Sequence, residues 1–296
     1  MATSKSRPSV PDSVAEALRR EVNFGCPVEG CGSPFLTWHH FDPPWRQEEH
    51  FRPEGMIALC ARHAPFADGS SYTNNHLRGL KAKPFVQQRA EDWLPWQPEA
   101  ITFMMGGAVA FEARKAVRLS GVDVFSAHRT DGGHLKLDAN LMGPDGDEFL
   151  TMKDSWISVR TGSLRDLHGT TQARNIDVEH RSGVRMRLRW DRFTVDEFRS
   201  RVAACAPGLG KRVDEVVDLG RAHGTDSDGL IPVISVTGKF WSNGVHLRLT
   251  STNMRLRIRG VEEVVSLSPI LPPGGAVNFV RTDPRTGVET HLMSFG

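Results

Sequence analysis

The chain has 296 residues, 39% of them hydrophobic and 24% charged, with 37 Lys and Arg against 35 Asp and Glu for a formal net charge of +2. That balance excludes a chain disordered throughout and supplies no global attraction to nucleic acid; residues 1 to 100 alone hold 11 basic against 12 acidic side chains, so any phosphate contact must come from local arrangement. The length predicts two or three domains. The apolar runs are too short to cross a bilayer and MATSKSRPSVPDSV has no signal-like apolar stretch, so a soluble, cytoplasmic protein without a membrane partner is expected.

In chain order, Pro11 to Val22 is expected as a helix, with Ser13 and Glu16 in capping-box spacing and Ala15, Leu18 and Val22 on one face. A cysteine-rich, turn-rich segment follows from Asn23 to about Ser71. YTNNHLRGLK then predicts a helix capped by Thr73, with Leu77 and Leu80 inward. KPFVQQRAEDWLPWQPEA, with Pro84, Pro95 and Pro98, has the composition of a linker that packs through Trp93 and Trp96. From Ile101 the character changes. VDVFSAHRT, HLKLDANL, WISVR, VRMRLRW, VISVTGKFW, VHLRLT and MRLRIRG alternate apolar and polar residues between Gly, Asp and Asn turns, the pattern of half-buried antiparallel strands. Two helices interrupt them, from Thr194 to about Ala206 and from Val213 to about Ala222. Arg185, Arg187 and Arg189 alternate on one predicted strand, and Arg255, Arg257 and Arg259 on another. Such stripes form either a phosphate-binding face or the solvent face of a sheet with Val184, Met186, Leu188 and Trp190 turned inward. The remaining histidines, His128, His134, His168, His180, His223, His246 and His291, show no ligand spacing.

Four cysteines are too few for a disulfide scaffold in a chain this long, and Cys26, Cys31 and Cys60 fall within one 35-residue window. Cys26 and Cys31 flank the Pro/Gly knuckle CPVEGC; Cys60 and His63, in LCARH, make a second pair. Three thiolates and an imidazole are the donors that tetrahedral zinc prefers, so a structural Zn2+ on Cys26, Cys31, Cys60 and His63 is expected, against the alternative of cysteines packed as small hydrophobes.

Between these pairs LTWHHFDPPW places two adjacent histidines at the end of an apolar segment that Asp42, Pro43 and Pro44 then stop. On a strand, His39 and His40 point to opposite faces. A knuckle, a strand ending in His-His and the LCARH segment in this order resemble the HNH, or ββα-metal, nucleases of bacterial type, in which an N-L-x-x-L-C-x-x-C-H segment opens the completing helix. The likeness runs from about Phe24 to Lys81. It includes ADGSSYTNNHLRGLK, which is similar to the ending of bacterial members; the segment from Ile101 to about Val202 resembles a β-rich region that accompanies some of them.

The resemblance implies an α+β chain, with an N-terminal zinc-bearing ββα-metal, treble-clef-like domain in residues 1–83, a linker in 84–100 and a mainly antiparallel β region in 101–296, divisible at 202/203. It implies a metal-dependent hydrolase of phosphodiester bonds in nucleic acid, double-stranded DNA by expectation, with His40 as general base and His39 as ligand of a catalytic Mg2+ or Mn2+. Two positions depart from the family pattern: the expected Asn is Gly55, beside Glu54, and the expected His is Ala64. His63 is thereby left between the structural zinc and the catalytic ion. Replacement ligands near in sequence are His50, Asp68 and His76, of which His50, in the loop after the strand, is the expected one.

Two readings stay open: the endonuclease, with Arg185, Arg187 and Arg189 of the β-rich region contributing to nucleic-acid binding, and a catalytically degraded zinc domain that binds nucleic acid or protein. A homo-oligomer or a regulatory partner through the β-rich region is compatible with either. Phage defence and genome processing are equally compatible.

Overall fold

The computed structural model describes residues 8–86, 88–258, 261–265, 270–282 and 289–295. The protein is α+β, mostly antiparallel sheet with few helices. Among the described residues no helix is long and apolar enough to cross a membrane. By its contacts the chain divides into two units, Met1–Asp92 with Asp166–Gln172, and Trp93–Arg165 with Ala173–Gly296. The division falls inside the stretch read as a linker. The short segment Asp166–Gln172, which strand alternation places with the β-rich region, groups instead with the first unit. There Arg19 donates twice to Asp166, Nε to Oδ1 at 2.9 Å and Nη2 to Oδ2 at 2.7 Å.

The first unit opens with α1 (Asp12–Glu21), whose Ala15 and Leu18 are buried. The capping box expected at Ser13 and Glu16 is absent, because the N-cap lies two residues earlier: it is Pro11, which offers no side-chain acceptor. After the cysteine knuckle come β1 (Leu36–His40) and β2 (Met56–Cys60), paired antiparallel from Leu36 opposite Cys60 to His40 opposite Met56. Every residue of β2 is buried, so MIALC reads as a continuous apolar run without alternation. Ile57 and Leu59 are fully shielded, which at about 1.5–3 kcal/mol per side chain makes β2 the main apolar anchor of this small core.

The chain then turns through Arg62 into α2 (Ala64–Asp68) and α3 (Asn74–Ala82). Thr73 caps α3 as expected, its hydroxyl accepting from the His76 amide at 3.2 Å, and Leu77 is buried. The polar residues of α3 tie it to the pair of strands. The Lys81 ammonium donates to the Pro53 and Met56 carbonyls and pairs with Glu21 at 3.0 Å, while Arg78 pairs with Asp42.

Gly55, where the family pattern has Asn, has a local reason. Its carbonyl accepts from the amides of both Phe41 and Asp42, at 2.9 and 3.2 Å, so the backbones cross in direct contact. A Cβ at residue 55 would lie 2.1 Å from the Asp42 carbonyl oxygen and 2.9 Å from the His50 ring. No side chain fits there.

In the second unit one antiparallel sheet runs, in spatial order, through Val277–Thr282, Glu289–Phe295, Val117–Leu119, Val122–Arg129, Leu135–Met142, Glu148–Lys153 and Trp156–Arg160. Another runs through Asn175–His180, Arg185–Phe193, Ile231–Ser242, Val245–Leu249, Met254–Ile258 and Val261–Val265. Thr102–Met105 joins the latter in parallel beside Ile231–Ser242, and Ile270–Leu271 pairs in parallel with Val109 and Ala110, two departures from its antiparallel rule. Two helices, α4 (Val195–Cys205) and α5 (Val213–His223), bury Phe198, Val202, Val216 and Val217 with Phe111, Ile231 and Val233. Thr194 closes a complete capping box with Glu197 at the start of α4. Trp96 stacks on Trp190 with ring centroids 5.8 Å apart and donates Nε1–H to the Ala173 carbonyl, so this part of the expected linker is packed.

Gly55→Ala should lower the stability of the first unit by about 2–3 kcal/mol, since neither the Asp42 carbonyl nor the strand pair can move without loss of the crossing. The urea midpoint of metal release reports it; an unchanged midpoint would contradict the close approach.

Candidate metal centre and cleft

The knuckle brings its two cysteines together through backbone bonds. The Cys26 amide donates to Ser33, the Cys31 amide to Val28 and the Gly32 amide to Cys26, with Gly30 and Gly32 at φ +74° and +76° turning the chain. The second pair sits where β2 runs into α2, with the His63 amide donating to the Cys60 carbonyl at 3.0 Å. The four ligand atoms of Cys26, Cys31, Cys60 and His63 all lie within 4.8 Å of one another. His63 therefore belongs with the cysteines, through Nδ1, which lies 3.4 Å from the Cys26 sulfur and 3.3 Å from that of Cys60.

Cys31 and Cys60 sulfurs are 3.6 Å apart, far beyond a disulfide bond, and the cysteines are free thiols. These separations fit a tetrahedral ion. Zinc bonds of about 2.3 Å to sulfur and 2.0–2.1 Å to nitrogen put two sulfurs about 3.8 Å apart and sulfur and nitrogen about 3.6 Å apart. The cluster can hold a metal such as zinc. The three thiols differ in protonation: bonds from the Cys26 and Cys31 side chains hold the Cys60 thiol well below the usual range, toward the thiolate that a metal takes. The bonds to Cys31 and Cys60, and then burial, push Cys26 up. The Arg62 guanidinium donates to the Cys31 sulfur at 3.5 Å, and the Cys31 thiol is held above its usual range: the bond from Cys26 lowers it, but the Cys60 side chain and burial outweigh that bond.

His39 and His40 line one cleft of about 700 Å³ together with residues of α2 and α3, among them Asp68 and Asn74. Their engagements differ. The His39 Nδ1 lies 2.8 Å from an Asp68 carboxylate oxygen. His40 is buried at 5% exposure, packs edge-on against Trp45 and His50, and has Nε2 2.9 Å from the His50 carbonyl. A carbonyl only accepts, so His40 Nε2 carries the proton and the basic lone pair of the neutral ring is on Nδ1.

The expected second ligand, His50, is spent elsewhere. Its Nε2–H donates to the Pro43 carbonyl at 2.9 Å, and its Nδ1 accepts from the Arg52 amide at 3.2 Å. Both ring nitrogens are engaged in shaping the loop that anchors His40, and neither is left for an ion. His76 packs on Tyr72, with ring centroids 4.9 Å apart. Asp68 is the residue that faces His39. Its signal in the sequence is spacing: Asp68 lies four residues, about one helical turn, after Ala64, the position where the family has its His.

The arginine stripe takes the second of its two expected arrangements, the outer face of a strand whose Met186 and Leu188 are buried. Asp177 is desolvated, which alone would raise it, but bonds from Arg185 and Arg187 hold its carboxyl below the usual range. Arg189 pairs with Asp191 at 2.7 Å. Three of the expected phosphate contacts are thus ion-paired within the protein. Arg259 lies outside the described residues.

Protein purified without chelators should contain one zinc per chain, and Cys31→Ser should lose it and become protease-sensitive within residues 24–65. Elemental analysis finding no metal in the parent protein would refute the assignment.

Comparison of the chain with protein-family models, curated proteins and solved structures finds no match.

Proposed function

We propose that the first unit is a metal-dependent endonuclease of the HNH type, hydrolysing phosphodiester bonds in double-stranded DNA. The observation that carries the reading is the division of labour between His39 and His40. Two neighbours on one strand line the same cleft, one against a carboxylate and the other fixed by a backbone carbonyl.

In this reading His40 removes a proton from water at Nδ1. The imidazolium that forms keeps its Nε2–H bond to the His50 carbonyl, which holds it in orientation. Burial against Trp45 and Phe51 limits the ring to that one pose. His39 and Asp68 are the residues that would hold Mg2+ or Mn2+, an ion that stabilises charge on the phosphate and on the leaving oxygen. One imidazole and one carboxylate leave most of an octahedral shell to water and substrate, as such ions commonly have. The Cys26, Cys31, Cys60 and His63 cluster keeps the end of β2, the start of α2 and the knuckle in place and takes no part in the proton transfer.

The competing reading is a zinc-stapled binding module without catalysis, favoured by Gly55 and Ala64 where the family has Asn and His. One experiment separates the two. Wild type should cut duplex DNA with Mg2+ or Mn2+, His40→Ala should lose at least about 100-fold in rate with zinc retained, and Asp68→Asn should lose activity that higher Mn2+ partly restores. Wild type inactive on DNA and RNA with every divalent ion, or a His40→Ala variant as fast as wild type, would establish the binding module.

A further inference from the structure

The second unit carries a row of cations that strand pairing alone does not explain. Arg185 stands opposite Lys239, Lys239 opposite Arg248, and Arg248 opposite Arg255, in four neighbouring antiparallel strands. Directly paired residues share a face, so the four project on one side of the sheet. The other side is the buried one, with Met186, Phe240, Leu247, Leu249, Met254 and Leu256. At about 4.8 Å per strand the row spans about 14 Å.

Like charges directly opposite one another destabilise a sheet, and here the unfavourable pairing occurs three times in succession. Acidic partners act at one end. Asp177 binds Arg185, and Glu179 lies across from it in register. Among the described residues neither Lys239 nor Arg248 has a carboxylate within ion-pair distance. Lys239, Arg248 and Arg255 are all exposed.

Two further observations extend the row. Lys239 and Arg248 lie between two clefts, of about 280 and about 420 Å³, and line both. The larger cleft is also lined by Arg201 from α4, whose buried Nε–H has no hydrogen-bond partner among the described residues. An orphaned guanidinium donor beside Lys239 and Arg248 calls for an anion with several oxygens.

We propose that this face binds the phosphate backbone of double-stranded DNA, with Lys239 and Arg248 at its centre and Arg201 at its side. The inference rests on the nuclease reading for the choice of polynucleotide; the charge arrangement stands by itself. Duplex DNA, with one negative charge per about 1.7 Å of axis, answers a cation row of this density better than a single strand does. The contacts reach phosphate alone, so binding should be insensitive to base sequence and steep in salt.

The test uses the full-length His40→Ala protein, zinc-loaded and without added divalent ions, so that binding is read apart from cleavage. A labelled 20-base-pair duplex should bind, and its affinity should fall linearly with salt on a log–log plot. Lys239→Glu with Arg248→Glu should weaken it by about tenfold or more and reduce the salt slope by about two. Lys239→Arg with Arg248→Lys should bind as the parent does, which controls for folding. Unchanged affinity in the charge-reversal variant, or tighter binding of a single-stranded 20-mer than of the duplex, would overturn the proposal. Wild type that binds in this way and does not cut with any divalent ion would refute the nuclease reading while leaving the binding face intact.

Discussion

The first unit depends on the convergence of four side chains from two stretches of chain. Cys26 and Cys31 come from a glycine-turned knuckle, Cys60 ends β2 and His63 precedes α2, and their ligand atoms meet within 4.8 Å. The apolar core around them is small, built on Leu18, Leu36, the residues of β2 and Leu77. A domain of this size gains much of its stability from metal when it has one. The same cluster fixes where β2 ends and α2 begins. It thereby decides that Asp68, at the end of α2, stands against His39.

A second constraint acts on the other histidine. The Gly55 carbonyl accepts two amides from the chain just past His40, and the loop between them folds back so that the His50 carbonyl meets the His40 ring. His50 completes this loop by donating to Pro43 and accepting from Arg52. Glycine at 55 and histidine at 50 are therefore parts of one device that holds His40. Where the resemblance expects an Asn, the fold has a backbone crossing that admits only glycine.

Much of this was legible beforehand, and the reasons are specific. Alternation in VRMRLRW and VHLRLT reports strands because one face is buried, and Thr73 and Thr194 report helix starts because their hydroxyls accept from the first turn. The cysteine pairs could be read because ligand spacing within each pair is local. The failures share one cause, that partners far apart in sequence leave no periodic trace. His50 lies in the right loop, yet both its nitrogens are taken by nearby backbone groups. Arg185 and Arg187 sit on the expected face, yet Asp177 from the neighbouring strand claims them. Asp166 binds Arg19 from 147 residues away. At Ser13 the error was local: the helix begins after Pro11, one residue before the expected cap.

The central claim is that the metal-stapled unit presents His39 and Asp68 as a second, weaker metal site beside a fixed His40. Titration of zinc-loaded protein with Mn2+, followed by electron paramagnetic resonance, tests this without any substrate. The account predicts one Mn2+ bound per chain beyond the zinc, with its affinity reduced in Asp68→Asn, unchanged in His50→Gln once zinc content is matched, and no zinc displaced. Absence of that Mn2+ in the parent protein, or the same affinity with Asp68 replaced, would contradict it.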